Sequence, residues 1–361
     1  MKVALAHDYL TQRGGAERVV LSMTRAFPEA PVYTSLFDPG ATFPEFHTVD
    51  VRPSTLNRLG LLRRHHRLAF PLLAPAVSSI RVNADVLVCS SSGWAHGIRT
   101  DGRKLVYCHA PARWLYQSDR YVRPLGVPAR MAACAFCPPL RRWDRRTAAT
   151  ARRYLVASTH VASMVEEIYG LRAAVLPPPP ALRPEGLAEA VPGLEPGFLL
   201  CVSRLLPYKN VDAVVAALDL RPRDRLVVVG TGPDEARLRA TAGPNVQFVG
   251  AVRDEVLRWL YGACAAVVAA SFEDFGLTPL EAASFGKPAA ALRFGGYLDT
   301  VSEGETGLFF GEPAPGAIAA ALAELSTVPW EAEKLRARAS AFSEERFVER
   351  LQAFVAEEGA R

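Results

Sequence analysis

Ser271-Phe272-Glu273-Asp274-Phe275-Gly276-Leu277-Thr278-Pro279-Leu280-Glu281-Ala282 follows the apolar run 265–269 and decides how the chain is read. Five small apolar residues in a row, with a polar loop behind them, predict a strand buried on both faces. Pro279 suits the first turn of a helix, because its missing N–H has no intrahelical partner there. The order is therefore strand, loop, helix. Glu273 falls in the loop and Glu281 near the start of the helix. Two carboxylates then flank the open backbone N–H groups around Phe275, Gly276 and Leu277. Acceptors for sugar hydroxyls stand beside donors for phosphate. A carboxylate that only complements the helix dipole would explain Glu281, but not its spacing from Glu273 with Phe-Gly between.

The same alternation extends in both directions. Strands are expected at 3–7, 32–37, 86–89, 105–109, 154–157 and 174–176, and again at 198–202, 225–229, 246–249 and 289–292. Amphipathic patterns at 16–27, 158–169, 211–218, 234–240, 255–261, 278–285 and 315–325 read as helices. Apolar strands separated by helices indicate parallel sheets covered on both faces. Pro177-Pro178-Pro179-Pro180 opens a Pro/Gly-rich stretch to Gly197, which reads as a linker and hinge. The expected architecture is α/β, with doubly wound domains at 1–180 and 181–342 facing each other across a cleft. A helix at 343–358 carries Phe347, Leu351, Phe354 and Val355 on one face.

Composition narrows the function. The chain has 361 residues, of which 50% are hydrophobic and 22% charged, so a packed core is available. A formal net charge of +5 is too small to argue for nucleic acid. No apolar run reaches the ~20 residues of a membrane span. An acidic residue, Asp8, comes too early for a signal peptide. Six scattered cysteines read as buried thiols of a reducing compartment, and a cytoplasmic location is expected. Cys134-x-x-Cys137 has no second Cys/His pair to complete a metal site. Arg63-Arg64-His65-His66-Arg67 and Arg141-Arg142-Trp143-Asp144-Arg145-Arg146 read as solvated helix faces or as surfaces drawn to an anionic membrane or a phosphate-bearing acceptor.

Ligands of open α/β sheets bind beyond the carboxyl ends of the strands. Asp8, Tyr9, Gly14 and Gly15 follow the first strand, and two glycines before a helix allow close approach of backbone to phosphate. Gly230-Thr231-Gly232 opens like a dinucleotide fingerprint but lacks its third glycine. Arg204 and Lys209 share one strand-to-helix loop, where two cations could offset a diphosphate. His109 ends a strand in Tyr-Cys-His-Ala-Pro-Ala-Arg113, and reads either as a core histidine or as a functional one.

Together Ser-Arg-Leu-x-Pro-x-Lys-Asn, Gly-x-Gly-Pro and Glu-Asp-Phe-Gly-Leu-x-Pro-x-Glu-Ala-x-x-x-Gly-x-Pro resemble the donor domain of retaining glycosyltransferase family 4, with the GT-B fold of two Rossmann-like domains. The first half, with His-Asp-Tyr-Leu-x-x-x-Gly-Gly-Ala-Glu-Arg and Tyr-Cys-His-x-Pro-x-Arg, is similar to bacterial O-antigen and exopolysaccharide mannosyltransferases of that family. The resemblance implies that Arg204 and Lys209 contact the donor diphosphate and that Glu281 binds the ribose. Glu273, with the backbone of Phe275, Gly276 and Leu277, would hold the transferred sugar. Gly15 would approach the β-phosphate, and His109 would sit at the reacting centre. Thr278, Gly14, Gly230 and Gly232 are grouped with the donor site, and Asp8, Tyr9 and Arg113 with the acceptor side. The 343–358 helix would cross back onto the first domain. Asp299 stands where many members have Glu.

The expected activity is metal-independent, retaining transfer of a hexose from a nucleotide-sugar donor, mannose from GDP-mannose in first place. The acceptor would be a glycan, a lipid-linked molecule or a small molecule. No cofactor is expected beyond the donor as co-substrate, and no nucleic acid partner. Peripheral association with the inner face of the membrane is the further expectation from the basic clusters. The alternatives are a UDP-sugar enzyme acting on a natural product, a sugar-nucleotide epimerase of the same fold, and a non-catalytic sugar-nucleotide-binding protein.

Overall fold

A computed structural model describes residues 1–117 and 127–360, with backbone alone for Arg67 and 127–136. The chain divides into two compact units, Met1–Pro178 with Glu344–Arg361, and Pro179–Ser343. The first contains β1 (Val3–His7), β2 (Val32–Thr34), β3 (Val51–Pro53), β4 (Arg81–Val82), β5 (Val86–Ser91), β6 (Arg99–Thr100), β7 (Arg103–Cys108), β8 (Arg153–Val156) and β9 (Ala173–Val175). Seven of these form a parallel sheet in the order β3-β2-β1-β5-β7-β8-β9, and β4 pairs with β6. The second contains β10 (Leu199–Val202), β11 (Leu226–Val229), β12 (Val246–Gly250), β13 (Ala266–Ala269), β14 (Ala289–Leu292) and β15 (Gly307–Phe310), in the order β12-β11-β10-β13-β14-β15.

Both sheets reverse direction once. The switch lies between β1 and β5 in the first unit and between β10 and β13 in the second. Chains leaving the two central strands turn to opposite faces there, and the carboxyl ends at such a switch point are where open α/β sheets bind ligands. The strands read as expected for sheets covered on both sides: β11 (LVVV), β13 (AVVA) and β14 (AAAL) are buried throughout. Local signals set the helices between them. Ser158 accepts a hydrogen bond from the Val161 N–H and caps the helix Thr159–Tyr169, which Gly170 ends in a left-handed conformation.

The boundary between the two units falls at Pro178/Pro179, inside the Pro/Gly-rich stretch expected to link them. The stretch after Pro178 has no regular structure, yet it is packed against the second unit. Leu182 and Leu194 are buried with Phe198, Leu260 and Tyr261. Arg258 donates to the Arg183 carbonyl, and Glu189 N–H to that of Glu255. Proline forbids the ladder but not burial of the leucines beside it. The helix Val127–Ala148 contains Pro138 and Pro139, and the Cys134 side chain lies outside the described residues. The helix Ala332–Ser340 has a polar sequence that gave no periodic signal; Leu335 and Ala339 hold it against Ala283.

The last helix, Glu344–Gly359, belongs to the first unit. Phe347, Leu351 and Val355 lie one above another at helical spacing and are buried with Val20, Leu105 and Tyr107. Ser22 donates to Glu344 and Gln352 to the Ala26 carbonyl, so the helix is tied to Gly15–Ala26. Arg153 pairs with the buried Glu358 at 2.9 Å. Leu351→Ala would leave a cavity among these groups and is expected to cost about 3 kcal/mol. Urea unfolding of the full chain measures it; a loss below about 1 kcal/mol would mean the helix is not part of this core.

Candidate functional site

Two loops leave the switch point of the second unit. The loop 203–210 follows β10 and the loop 270–276 follows β13. Asn210 fastens them together. Its amide donates to the Ala270 carbonyl at 2.8 Å, and its φ of 54° is the left-handed region that asparagine tolerates. The Lys209 ammonium then bonds Glu273 Oε1 directly. Ser271 donates to the same carboxylate oxygen at 2.8 Å and shares a hydrogen bond with Tyr297 Oη at 3.0 Å. Gly296 N–H donates to the Glu273 carbonyl at 3.0 Å. Burial, and then the charge of Glu273, raise the Tyr297 phenol well above its usual range, so it remains a neutral hydroxyl.

Arg204 lies on the same loop as Lys209 and is exposed, with Nη2 3.1 Å from Tyr208 Oη. The Lys209 ammonium stands 5.2 Å from the centre of the Tyr208 ring. Tyr208 thus touches both cations, and nothing in its sequence context singles it out. Glu281 is buried in the helix Leu277–Ser284, and its Oε2 accepts from the buried Tyr261 hydroxyl at 2.7 Å. Burial and the Glu281 charge raise Tyr261, while the Thr278 side chain lowers it. Gly276 caps this helix at φ 82°, where a Cβ would lie 2.3 Å from the Tyr297 ring. Phe275 is buried, 6.2 Å from Phe342. Leu277 N–H and the next N–H groups lack intrahelical partners by position. A Cβ on Gly230 or Gly232 would strike the carbonyl of Ser203 or Leu205. These two glycines are therefore required for packing the 203–205 backbone.

The switch point of the first unit holds different chemistry. Asp8 is buried, and its carboxylate accepts from the backbone N–H groups of Ser92, Trp94 and Ala95 at 2.6–3.2 Å. It serves to fix the turn after β5. Tyr9 stacks on His66 at 4.6 Å, and His66 Nδ1 bonds Thr11. Arg113 opens the short helix Arg113–Tyr116. His109 Nε2 is 2.8 Å from Ser90 Oγ, and His7 Nδ1 is 3.0 Å from the same oxygen. Burial, His7 and Arg113 push His109 down to about 3, with Glu17 pulling the other way, so its imidazole is neutral. His7 Nε2 faces Glu17 Oε1 at 3.7 Å. Gly14 precedes the helix that carries Glu17, and a Cβ on it would lie 2.6 Å from Glu17 Oε2. A Cβ on Gly15 would meet nothing within 4 Å. A separate cleft of about 880 Å³ is lined by Arg99, Lys104, Arg142 and Trp143; Lys104 puts it at the amino end of β7, away from His109.

Residues 188–345 match the family model described as Glycosyl transferases group 1, so the second unit carries a domain of that kind. A glycogen synthase of Mycobacterium tuberculosis is 35% identical over 164 residues, 41% of this chain. The chain spans only 38% of that relative's length. The alpha-1,3/1,6-mannosyltransferase ALG2 of Homo sapiens is 27% identical over 95% of this chain and 92% of its own. Among solved structures, Anabaena Alr3699/HepE in complex with UDP superposes with a TM-score of 0.69 at 18% identity, covering 99% of this chain and 100% of that one. The fold is GT-B, two Rossmann-like domains with parallel sheets.

Burial opposes charge on both His7 and Glu17, but their mutual pairing wins on each side. His7 is raised above its usual 6.5 and Glu17 lowered below its usual 4.5, with Asp8 and Ser90 adding to the first and Gln12 to the second. The His7 share of stability is full below pH 6.5 and is lost as pH rises through the folded value. The Glu17 share is full above pH 4.5 and is lost as pH falls through the folded value. Glu17→Gln should therefore lower Tm most at about pH 5.5 and less at about pH 9. A pH-independent difference in thermal unfolding would contradict the buried ion pair.

Proposed function

We propose that the protein is a retaining, metal-independent glycosyltransferase of family 4 that moves a hexose from a nucleotide-sugar donor, mannose from GDP-mannose, to a glycan or lipid-linked acceptor. The observation that carries this reading is the array Lys209–Glu273–Ser271–Tyr297 at the switch point of the second unit. It holds a cation and a carboxylate at the carboxyl ends of β10 and β13, with the buried hydroxyls of Ser271 and Tyr297 behind the carboxylate, beside the open N–H groups of the helix Leu277–Ser284. That combination suits a diphosphate joined to a polyhydroxylated ring. The glycosyl transferases group 1 domain and the near full-length similarity to a mannosyltransferase support the choice of donor class and sugar.

In this reading Arg204 and Lys209 take the diphosphate and Glu281 the ribose. Glu273 and the backbone of Phe275–Leu277 take the hydroxyls of the sugar. Gly15 is assigned to the β-phosphate and His109 to the transferred sugar. The bond from C1 to the β-phosphate oxygen breaks as the acceptor oxygen bonds to C1 on the same face. The departing phosphate oxygen receives the acceptor's proton, and Arg204, Lys209 and backbone dipoles stabilise the charge that grows there. No carboxylate nucleophile is needed. A UDP-sugar is the second donor reading, favoured by the UDP held in the Anabaena neighbour.

Lys209→Ala is expected to lower kcat about 100-fold or more with the fold intact, and Arg204→Ala to raise donor KM as well. Near-normal turnover in either variant would remove the assigned roles. Thermal shifts with GDP, UDP, ADP and dTDP and their sugars identify the donor. No stabilisation by any of them would end the reading.

Peripheral association with an anionic membrane is part of the proposal. Between Val51 and Ala84 there are six arginines and no Asp or Glu. Leu59, Leu61, Leu68 and Leu72 in the same segment are exposed, the first three by more than half. Apolar side chains among arginines suit the surface of an anionic bilayer. Flotation with phosphatidylglycerol vesicles should carry the protein at low salt, and Leu61→Glu/Leu68→Glu should abolish it. Failure of the unmutated chain to float at low salt would remove the membrane from the proposal.

A further inference from the structure

Glu17, His7, Ser90 and His109 form one continuous polar chain at the switch point of the first unit. Parallel pairing of β1 with β5 puts His7 opposite Ser90, and β7 runs out to His109 on the other side of β5. Hydrogen positions along this chain follow from a single atom that can only accept. His7 Nδ1 lies 3.2 Å from the backbone oxygen of Ser90, as well as 3.0 Å from its hydroxyl. A carbonyl oxygen has no proton to give, so Nδ1 of His7 carries one. Toward Ser90 Oγ the ring can therefore only donate. Ser90 Oγ has two lone pairs and one hydrogen, and once His7 donates to it the remaining acceptor for that hydrogen among the described residues is His109 Nε2, at 2.8 Å. The arrangement that satisfies the hydroxyl therefore has Nε2 accepting and the His109 proton on Nδ1.

The far end of the chain holds this polarity in place. Glu17 Oε1 faces His7 Nε2 at 3.7 Å and also accepts from the Gln12 amide at 3.0 Å. The carboxylate favours an imidazolium with both nitrogens protonated, so His7 cannot turn into an acceptor toward Ser90. Absence of a side chain on Gly14 makes room for Glu17 in this position. His109 Nδ1 has no hydrogen-bond partner among the described residues.

We propose that Glu17, His7 and Ser90 are positioning residues that fix the Nδ1–H tautomer and the ring orientation of His109, so that it presents an N–H donor to an oxygen of the transferred sugar. The catalytic half rests on the reading of His109 under the proposed function; the tautomer does not. Long-range 1H–15N spectra of the full chain with 15N-labelled histidine test the tautomer directly. His109 should show a pyrrole-type Nδ1 and a pyridine-type Nε2. Ser90→Ala should move it toward the Nε2–H form that free histidine prefers. Ser90→Thr, which keeps the hydroxyl, and His7→Asn, whose amide N–H can stand in for Nδ1–H, should restore it.

Turnover read beside the spectra separates the two halves. Ser90→Ala should lower kcat about 10-fold with donor KM unchanged, and Ser90→Thr should recover it. An Nε2–H His109 in the unmutated chain, or a tautomer indifferent to Ser90→Ala, overturns the relay. A tautomer that moves while kcat stays constant overturns the catalytic half and takes His109 out of the chemistry, with the relay standing. Should Ser90→Ala not fold, the Ser90→Thr and His7→Asn spectra decide: an Nε2–H His109 in both overturns the relay.

Discussion

The second unit is organised around one ion pair. Lys209 comes from the loop after β10 and Glu273 from the loop after β13, and their bond spans the point where the sheet reverses. Asn210, through its bond to the Ala270 carbonyl, ties the same two loops, so the ion pair sets the charged surface of a junction that is already held. Withdrawing two charges from water is costly, and the attraction between them repays it only when remaining lone pairs are also satisfied. Ser271 supplies that hydrogen bond, and Tyr297 in turn fixes Ser271. Their side chains are 10% and 27% exposed, so the pair is sheltered yet reachable. The donors and acceptors of the array are already oriented, and groups so fixed need little reorganisation to act.

The first unit solves the same topological problem with other residues. Its reversal lies between β1 and β5, and the facing residues there are His7 and Ser90. Register makes this contact obligatory, since a slip by one residue would turn each side chain to the opposite face. Asp8, the next residue, points the other way and is consumed by three backbone N–H groups of the turn after β5. Adjacent residues at one strand end thus divide the work: Asp8 holds the loop, and His7 enters the polar chain to His109.

Much of this was legible in the sequence. Apolar runs marked the strands, Pro279 marked a helix start, and the Glu-x7-Glu spacing marked the carboxylates of the second unit. What stayed hidden has a common cause. Tyr261 and Tyr297 meet Glu281 and Ser271 from 20 and 26 positions away, and Ser90 meets His7 across 83. Such partners are set by tertiary packing and leave no local periodic trace. The packing of the stretch after Pro178 stayed hidden for a different reason. Proline and glycine content reports the absence of a ladder or helix and is silent on burial, which Leu182 and Leu194 decided.

Glycine in these loops likewise has two physical meanings, and the structure separates them. A glycine is needed either because protein occupies the space of its missing Cβ or because something from outside must approach the backbone. At Gly14 the occupant would be the Glu17 carboxylate, at Gly230 and Gly232 the carbonyls of Ser203 and Leu205, and at Gly276 the Tyr297 ring. Each of these glycines is accounted for by the chain itself. Gly15 differs: apart from its own helix and chain neighbours, none of the described residues lies within 4 Å of its would-be Cβ, and its φ is not in the left-handed region. Neither packing nor backbone strain requires a glycine there. Of these loop-motif glycines, Gly15 is thus the one whose missing Cβ leaves space that the described residues do not fill.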